Sequence, residues 1–201
     1  MRVLVACEYS GKVREAFRKL GHDAWSCDLL LSDDDSPYHY QCDVFEILDE
    51  GWDLMIAHPP CTYLTNSGVT WLYKQPLRWQ ELIHGAVFFR KLLNADIPRI
   101  AVENPIMHKY GKERIGNVKQ SQVIQPWMFG HTEQKATCLW LKGLPNLQPT
   151  KIVKDEMMLL PKNQRERLHY LPPSPDRWKE RSRTYPGIAQ AMATQWTQIE
   201  I

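Results

Sequence analysis

The stretch Arg2-Val3-Leu4-Val5-Ala6-Cys7-Glu8-Tyr9-Ser10-Gly11-Lys12 decides how the chain is read. Val3, Leu4 and Val5 make a short unbroken apolar run, the pattern of a strand buried on both faces. Residues 8–11 are polar and close on a glycine, which marks a turn. Val13, Ala16, Phe17 and Leu20 then recur at helical spacing over residues 12–20, and Gly21 ends that helix as its C′ residue. Strand, tight turn and helix in this order open a parallel α/β sheet.

Outward from that unit the alternation continues. A second strand over residues 22–27 ends at Asp28, and a polar loop over 29–40 carries Asp33-Asp34-Asp35 and Pro37. A helical turn follows over 43–48. A third buried strand over 53–57 runs into His58-Pro59-Pro60-Cys61, and a long helix spans about 77–93. The next strand, 97–102, ends at Glu103-Asn104-Pro105. This pattern predicts a mostly parallel sheet with helices on both faces, whose ligands sit beyond the carboxyl ends of the strands. The polar residues at 8–11, 28, 43, 58–61 and 103–104 all fall there. Residues 118–150 predict a hairpin or further strands, with 138–141 the most apolar part. Ile188, Ala189, Met192 and Trp196 predict a helix behind Pro186-Gly187. The expected organisation is a catalytic α/β domain over 1–150, a short Pro-rich basic lobe of irregular structure over 151–183, and a returning helix over 184–201.

Composition bounds the rest. The chain has 201 residues, 43% apolar and 24% charged, which suits one globular domain and excludes wholesale disorder. No apolar run approaches the ~20 residues of a membrane span, and no signal peptide is visible. Five scattered cysteines without CxxC spacing predict neither a disulfide framework nor a bound metal, and fit a reducing cytoplasm. Charge is uneven: residues 1–50 carry 5 basic against 11 acidic side chains, residues 51–150 carry 11 against 6, and residues 151–183 carry 9 against 5. A basic remainder suits contact with phosphates, and equally suits a solvated surface.

Three motifs can carry chemistry. The turn at Glu8–Gly11 before a helix, with an acidic residue at Asp28 about 20 residues on, has the layout of a nucleoside-cofactor site, although the dinucleotide fingerprint GxGxxG is missing. Pro59-Pro60 form a rigid turn that presents Cys61 in a fixed direction, and a thiolate there is a nucleophile. Glu103 at a strand end can hold a raised pKa in a partly buried site and donate a proton, with Asn104 orienting it or capping a following helix.

The order of these elements, with Asp43 between them, resembles the cytosine-5 DNA methyltransferases. Cys61 and Glu103, 42 residues apart, carry the most specific part of the resemblance, the Pro-Pro-Cys and Glu-Asn motifs. Phe129-Gly130 followed by Gln134-Lys135-Ala136-Thr137 is similar in position to the family's Gln-Arg-x-Arg segment. Residues 185–193 look like its closing helix motif. The resemblance implies a Rossmann-like methyltransferase fold, S-adenosylmethionine (SAM) as cofactor and DNA as partner. It makes Cys61 the nucleophile on carbon 6 of cytosine, Glu103 the group at ring N3, and Asn104 its support. It puts Cys7, Glu8, Tyr9, Ser10, Gly11 and Pro59 beside the methionine end of SAM, Asp28 at the ribose and Asp43 at the adenine. Arg78, Lys135, Arg165, Arg167, Arg181 and Arg183 are expected to contact nucleic acid, with Trp71, Tyr73 and Trp79 as aromatic candidates.

The chain departs from that family in four places. One glycine remains in the first motif, His58 stands where glycine is usual, the second arginine of Gln-Arg-x-Arg is replaced by Thr137, and residues 151–183 are few for a sequence-reading module. A compact enzyme of this kind suits a phage or mobile element. The same carbon-5 chemistry on RNA or a free nucleotide, amino-group methylation, and a non-catalytic SAM- or nucleic-acid-binding relative are the competing readings.

Overall fold

Strand β1 (Arg2–Ala6) is an interior strand of a seven-stranded sheet, and its run of apolar residues is buried from both sides. A computed structural model describes residues 1–198, apart from the side chains of Ser67 and Gly68. Helix α1 (Lys12–Arg18) leads to β2 (Asp23–Asp28) and β3 (His39–Gln41), and β4 (Leu54–Ala57) pairs on the other side of β1. Helix α2 (Arg78–Leu93) crosses to β5 (Arg99–Pro105). After α3 (Lys109–Arg114), strands β6 (Gln122–Ile124) and β7 (Thr137–Lys142) close the sheet, with β7 antiparallel to both β5 and β6. The order is β3-β2-β1-β4-β5-β7-β6. Its direction of winding reverses at β1 and β4, which opens a crevice at their carboxyl ends.

Alternation along the strands sorts the core into two layers. Leu4, Ala6, Met55, Ala57, Ile100 and Val102 face α2, where Leu82, Ala86 and Phe89 cover them. Val3, Val5, Leu54, Ile56 and Ala101 face α1 and the last helix, α8 (Pro186–Thr197). Each fully buried side chain of this size contributes about 1.5–3 kcal/mol, so the two covered faces fix the sheet's register. Between β7 and α8 lie α4 (Lys154–Leu159), α5 (Lys162–Arg165), α6 (Arg167–Tyr170) and α7 (Arg177–Ser182).

Several sequence expectations change. The loop over 29–40 contains the start of β3, an edge strand of three residues too short for an apolar pattern. Strand β5 continues through Glu103 and Asn104, because β7 pairs with it as far as Pro105. The region 151–183 is four short helices, with Val153, Met157 and Leu168 buried, and not an irregular lobe. Helix α1 stops at Arg18, so Leu20 is exposed and does not join the buried face. Asn104 caps no helix; His108 caps α3, accepting from the Gly111 amide at 2.9 Å. The expected closing segment 184–201 ends outside the described residues.

Candidate active site

The loop after β4 is rigid for reasons visible residue by residue. The His58 amide continues the sheet by donating to the Ala6 carbonyl at 2.9 Å, and Pro59-Pro60 then end the ladder, since neither can donate. The Cys61 carbonyl accepts from the amides of Leu64 and Thr65 at 3.0 and 3.2 Å, closing a turn. That turn is clamped to the segment after β5. Thr65 bridges Met107, the His108 amide donates to the Leu64 carbonyl at 3.0 Å, and the Tyr63 carbonyl lies 3.0 Å from His108 Nε2. Cys61 is thereby held partly exposed at the tip of β4, beside the end of β5.

Glu103 lies on the sheet face shared with α8. Its Oε2 is 3.1 Å from His58 Nδ1, and the two side chains are 17% and 10% exposed. Burial pushes the Glu103 carboxyl up, yet the hydrogen bond and charge of His58, with Lys135, bring it below its ordinary value. This reverses the raised carboxyl that the sequence suggested: His58, not apolar surroundings, decides the outcome. The Cys61 thiol is pushed up by burial and then by the Glu103 charge, against which Lys135 and Arg181 pull it down. Cys61, Glu103 and Lys135 therefore act on one another electrostatically. Asn104 is fully buried; its Nδ2 donates weakly to the Pro59 carbonyl at 3.4 Å, and its Oδ1 has no hydrogen-bond partner among the described residues.

A cleft at this point is lined by His58, Glu103, Lys135, Thr137, Tyr185 and Ile188 and holds about 10 Å³. That is room for one water and no ring. Lys135 Nζ closes it from the side by donating to the Arg181 carbonyl at 2.8 Å. Tyr185 donates to Glu133 at 2.7 Å, and Arg167 pairs with the other oxygen of that carboxylate at 3.2 Å.

The cofactor candidates divide into two groups. Cys7, at φ 58°, turns the chain out of β1, and burial followed by the charges of Asp28 and Asp43 pushes its thiol up. Those two carboxylates therefore converge on one end of the crevice. Asp28 accepts from the Leu30 amide at 3.0 Å, and burial raises its carboxyl. Asp43 is exposed and caps a 3-10 turn, accepting from Phe45 at 3.0 Å. A ribose and adenine end fits this acidic pair. The methionine end is different. Glu8 is 4% exposed, and its carboxylate accepts from the amides of Val13 and Arg14 at 2.7 and 3.2 Å, so it occupies the start of α1. Ser10 donates to the same carboxylate at 3.3 Å, and Tyr9 is turned away, its hydroxyl reaching Lys179 and Ser182. A Cβ on Gly11 would strike Arg14 and Asp34, so that space is filled by protein.

The cations expected at nucleic acid are partly committed. Arg183 is paired with Asp33 at 2.7 Å and Glu180 at 2.8 Å, and Arg167 with Glu133. Arg78 stacks over Tyr63 at 4.9 Å. The Arg165 carbonyl accepts from Gln134 at 2.6 Å, and its guanidinium reaches the Met158 sulfur at 3.8 Å. Lys135 and Arg181 stand at the cleft. Trp79 packs edge-on against Tyr110 at 5.1 Å, while Trp71 and Tyr73 are exposed. In the sequence His58 stands out only as an exception to a motif, and nothing there links Glu133 to Tyr185. No spacing in a sequence pairs residues across neighbouring strand tips.

Sheet order, the reversed β7 and the crevice at β1 and β4 together are a Rossmann-like methyltransferase fold. Two solved structures share it. Entamoeba histolytica methyltransferase EhMeth is 15% identical, with a TM-score of 0.50, over 76% of this chain and 57% of that one. A protein described as a DNA modification methyltransferase encoded within an E. coli prophage is 17% identical, with a TM-score of 0.50, over 81% and 56%. The chain thus spans less than two thirds of the length of either. No family model and no curated protein matches its sequence. No helix among the described residues is long and apolar enough to cross a membrane.

Proposed function

We propose that this chain is a SAM-dependent methyltransferase acting on carbon 5 of cytosine in DNA through a transient Cys61 adduct. The observation that carries the reading is the placement of Cys61 just past β4 and of Glu103 just past the last β4–β5 pair, where the Cys61 thiol lies under the charges of Glu103 and Lys135. SAM, bound with Asp28 and Asp43 at its nucleoside end, would supply an electrophilic methyl group.

The chain's own residues account for the remaining steps. Carbon 5 of cytosine is a weak nucleophile until a bond forms at carbon 6. Cys61 loses its proton, aided by Lys135 and Arg181, and its sulfur adds to carbon 6. Ring N3 takes up a proton on the Glu103 side, so no charge is left stranded on the ring. As a carboxylate, Glu103 also accepts from the exocyclic amino group, which selects cytosine over a ring bearing a carbonyl there. After carbon 5 is methylated it loses its proton, the sulfur–carbon 6 bond breaks, and N3 returns its proton. A target base in a duplex must first leave its stack, and the segment joining Arg181 to Lys135 must part to admit it. The short basic region over 151–183, with Arg165 and Arg181 in no ion pair among the described residues, supports contact with phosphates and little reading of sequence.

The test is trapping. Chain, SAM and DNA containing 5-fluorocytosine are expected to give a denaturation-stable adduct that Cys61→Ala abolishes. Absence of adduct across varied DNA, with no SAM binding by calorimetry, would overturn the enzyme. The Glu8 carboxylate at the start of α1 favours a second reading, a non-catalytic relative that binds nucleic acid. Trapping on RNA or on the free nucleotide would move the substrate within the same chemistry.

A further inference from the structure

We propose that His58 is a positioning residue that shares one proton with Glu103 and supplies it to the pyrimidine ring nitrogen. This rests on the methyltransferase reading above.

The geometry is specific. His58 is fixed by its own amide, which pairs with Ala6, and by the two prolines that follow it. The turn that presents Cys61 therefore also sets the imidazole. Nδ1 faces Glu103 Oε2 at 3.1 Å in a site nearly closed to solvent. The other ring nitrogen, Nε2, is buried and has no hydrogen-bond partner among the described residues. A buried imidazole nitrogen left without a partner works against folding, so structure alone is a poor reason to keep it. The groups facing the pair are Lys135 from the segment before β7, Tyr185 from the start of α8, and Cys61 from the same loop. Lys135 acts on Glu103 through its charge and directs its Nζ to the Arg181 carbonyl at 2.8 Å. Tyr185 directs its hydroxyl to Glu133. His58 is the titratable partner hydrogen-bonded to Glu103.

The proton balance closes. In the loaded pair the imidazole carries a proton on each ring nitrogen and Glu103 is a carboxylate; the shared proton is the one on Nδ1, which faces Oε2. When sulfur bonds carbon 6, Glu103 delivers that proton to ring N3 as Nδ1 releases it to Oε2, leaving neutral imidazole and carboxylate beside a neutral ring nitrogen. On elimination the proton runs back along the same path, and the pair is ready again. A lone carboxylate below its ordinary range has no proton to give at neutral pH; a carboxylate with an imidazole behind it does.

Two readouts separate this idea from the reading it rests on. In the full chain with ¹⁵N-labelled histidine, the His58 ring, assigned by its loss in His58→Gln, is followed against pH. Glu103→Gln is expected to move the His58 Nδ1 resonance at every pH sampled, because that nitrogen loses its carboxylate partner. An unmoved Nδ1 resonance overturns the shared proton, whatever the chain catalyses. In the trapping assay, His58→Gln is expected to slow adduct formation at least tenfold at pH 7 and to displace the alkaline limb of the wild-type profile. A uniform loss with the limb in place means a merely structural role and overturns the proposal. Wild-type trapping that fails at every pH brings down the enzyme reading and the proton supply with it, while the ring resonance still reports on the pairing.

Discussion

Glu8 Oε1 accepts the Val13 amide at 2.7 Å, so the helix that follows the first strand is capped by a buried side chain from its own turn. Helix starts leave backbone amides without partners, and a carboxylate there also meets the positive end of the helix dipole. Glu8 serves both Val13 and Arg14. Glu8→Ala is expected to destabilise the chain by about 1–2 kcal/mol, seen as a lower urea midpoint with an unchanged slope. A midpoint within error of wild type would mean that water or the Ser10 hydroxyl replaces the cap.

Asp28 and Glu103 respond to acid in opposite senses. Burial raises the Asp28 carboxyl in the folded chain, so its contribution is favourable below the unfolded pKa and is lost as pH rises through the folded one. At neutral pH its charge works against folding, as is common where a group is kept for binding. Asp28→Asn retains an oxygen for the Leu30 amide. It is expected to raise thermal stability at pH 7, to lose that gain near pH 3, and to weaken SAM binding in calorimetry at least tenfold. A variant that binds SAM as wild type does removes Asp28 from the cofactor site.

Glu103 lies below its ordinary value, so its pairing with His58 stabilises the fold above the unfolded carboxyl pKa and is lost as pH falls through the folded one. The stability difference between wild type and Glu103→Gln is expected to be largest near neutrality and to shrink steadily on acidification. Chemical denaturation at a series of pH values measures it. A difference independent of pH would mean that the carboxylate is not the paired form.

The sheet was legible because its strands are buried on both faces, and such runs announce themselves, as Val3–Leu4–Val5 and the β4 run do. Edge pieces were not: His39–Gln41 has two partly buried residues and one exposed, and no pattern marks it. The neighbourhood of Cys61 and Glu103 is legible in part: β4 and β5 are parallel, and their ladder ends at Ala57 and Val102, just before the Pro-Pro-Cys and Glu-Asn segments. Their charge states did not follow. The carboxyl direction depends on His58 across a strand boundary, and the thiol direction on Lys135 and Arg181, which are distant in sequence. Glu8 misleads in a similar way, because a polar residue in a cofactor turn and a polar helix cap look alike until its hydrogen bonds are known.

Cys61 makes a further prediction about reactivity. Thiolate is the reactive form, and burial with the Glu103 charge keeps the thiol protonated. Alkylation by iodoacetamide at pH 7, followed at Cys61 by peptide mass spectrometry, is expected to be slower than for a free thiol and to accelerate as pH rises. Glu103→Gln is expected to speed it severalfold, and Lys135→Ala to slow it. The reverse order would mean that the thiol lies outside the field of these two groups.

Gly111 tests whether the loop that presents Cys61 owes its position to the segment after β5. A Cβ there would come within 2.7 Å of the Leu64 carbonyl oxygen, a backbone atom that cannot swing aside. The same carbonyl accepts the His108 amide, and the His108 ring accepts the Gly111 amide, so three contacts meet in that gap. Gly111→Ala would favour an isolated helix, alanine being the better helix former. In this chain it is expected to cost about 1–3 kcal/mol by forcing the two segments apart. Displacement of residues 61–65 would follow, so Cys61 alkylation should rise with the loss of stability. Gly116→Ala is the control: a Cβ meets nothing there within 4 Å, so its cost comes only from the positive φ of 85° and leaves the loop in place. If both variants lose similar stability and neither changes Cys61 alkylation, the clamp does not hold Cys61.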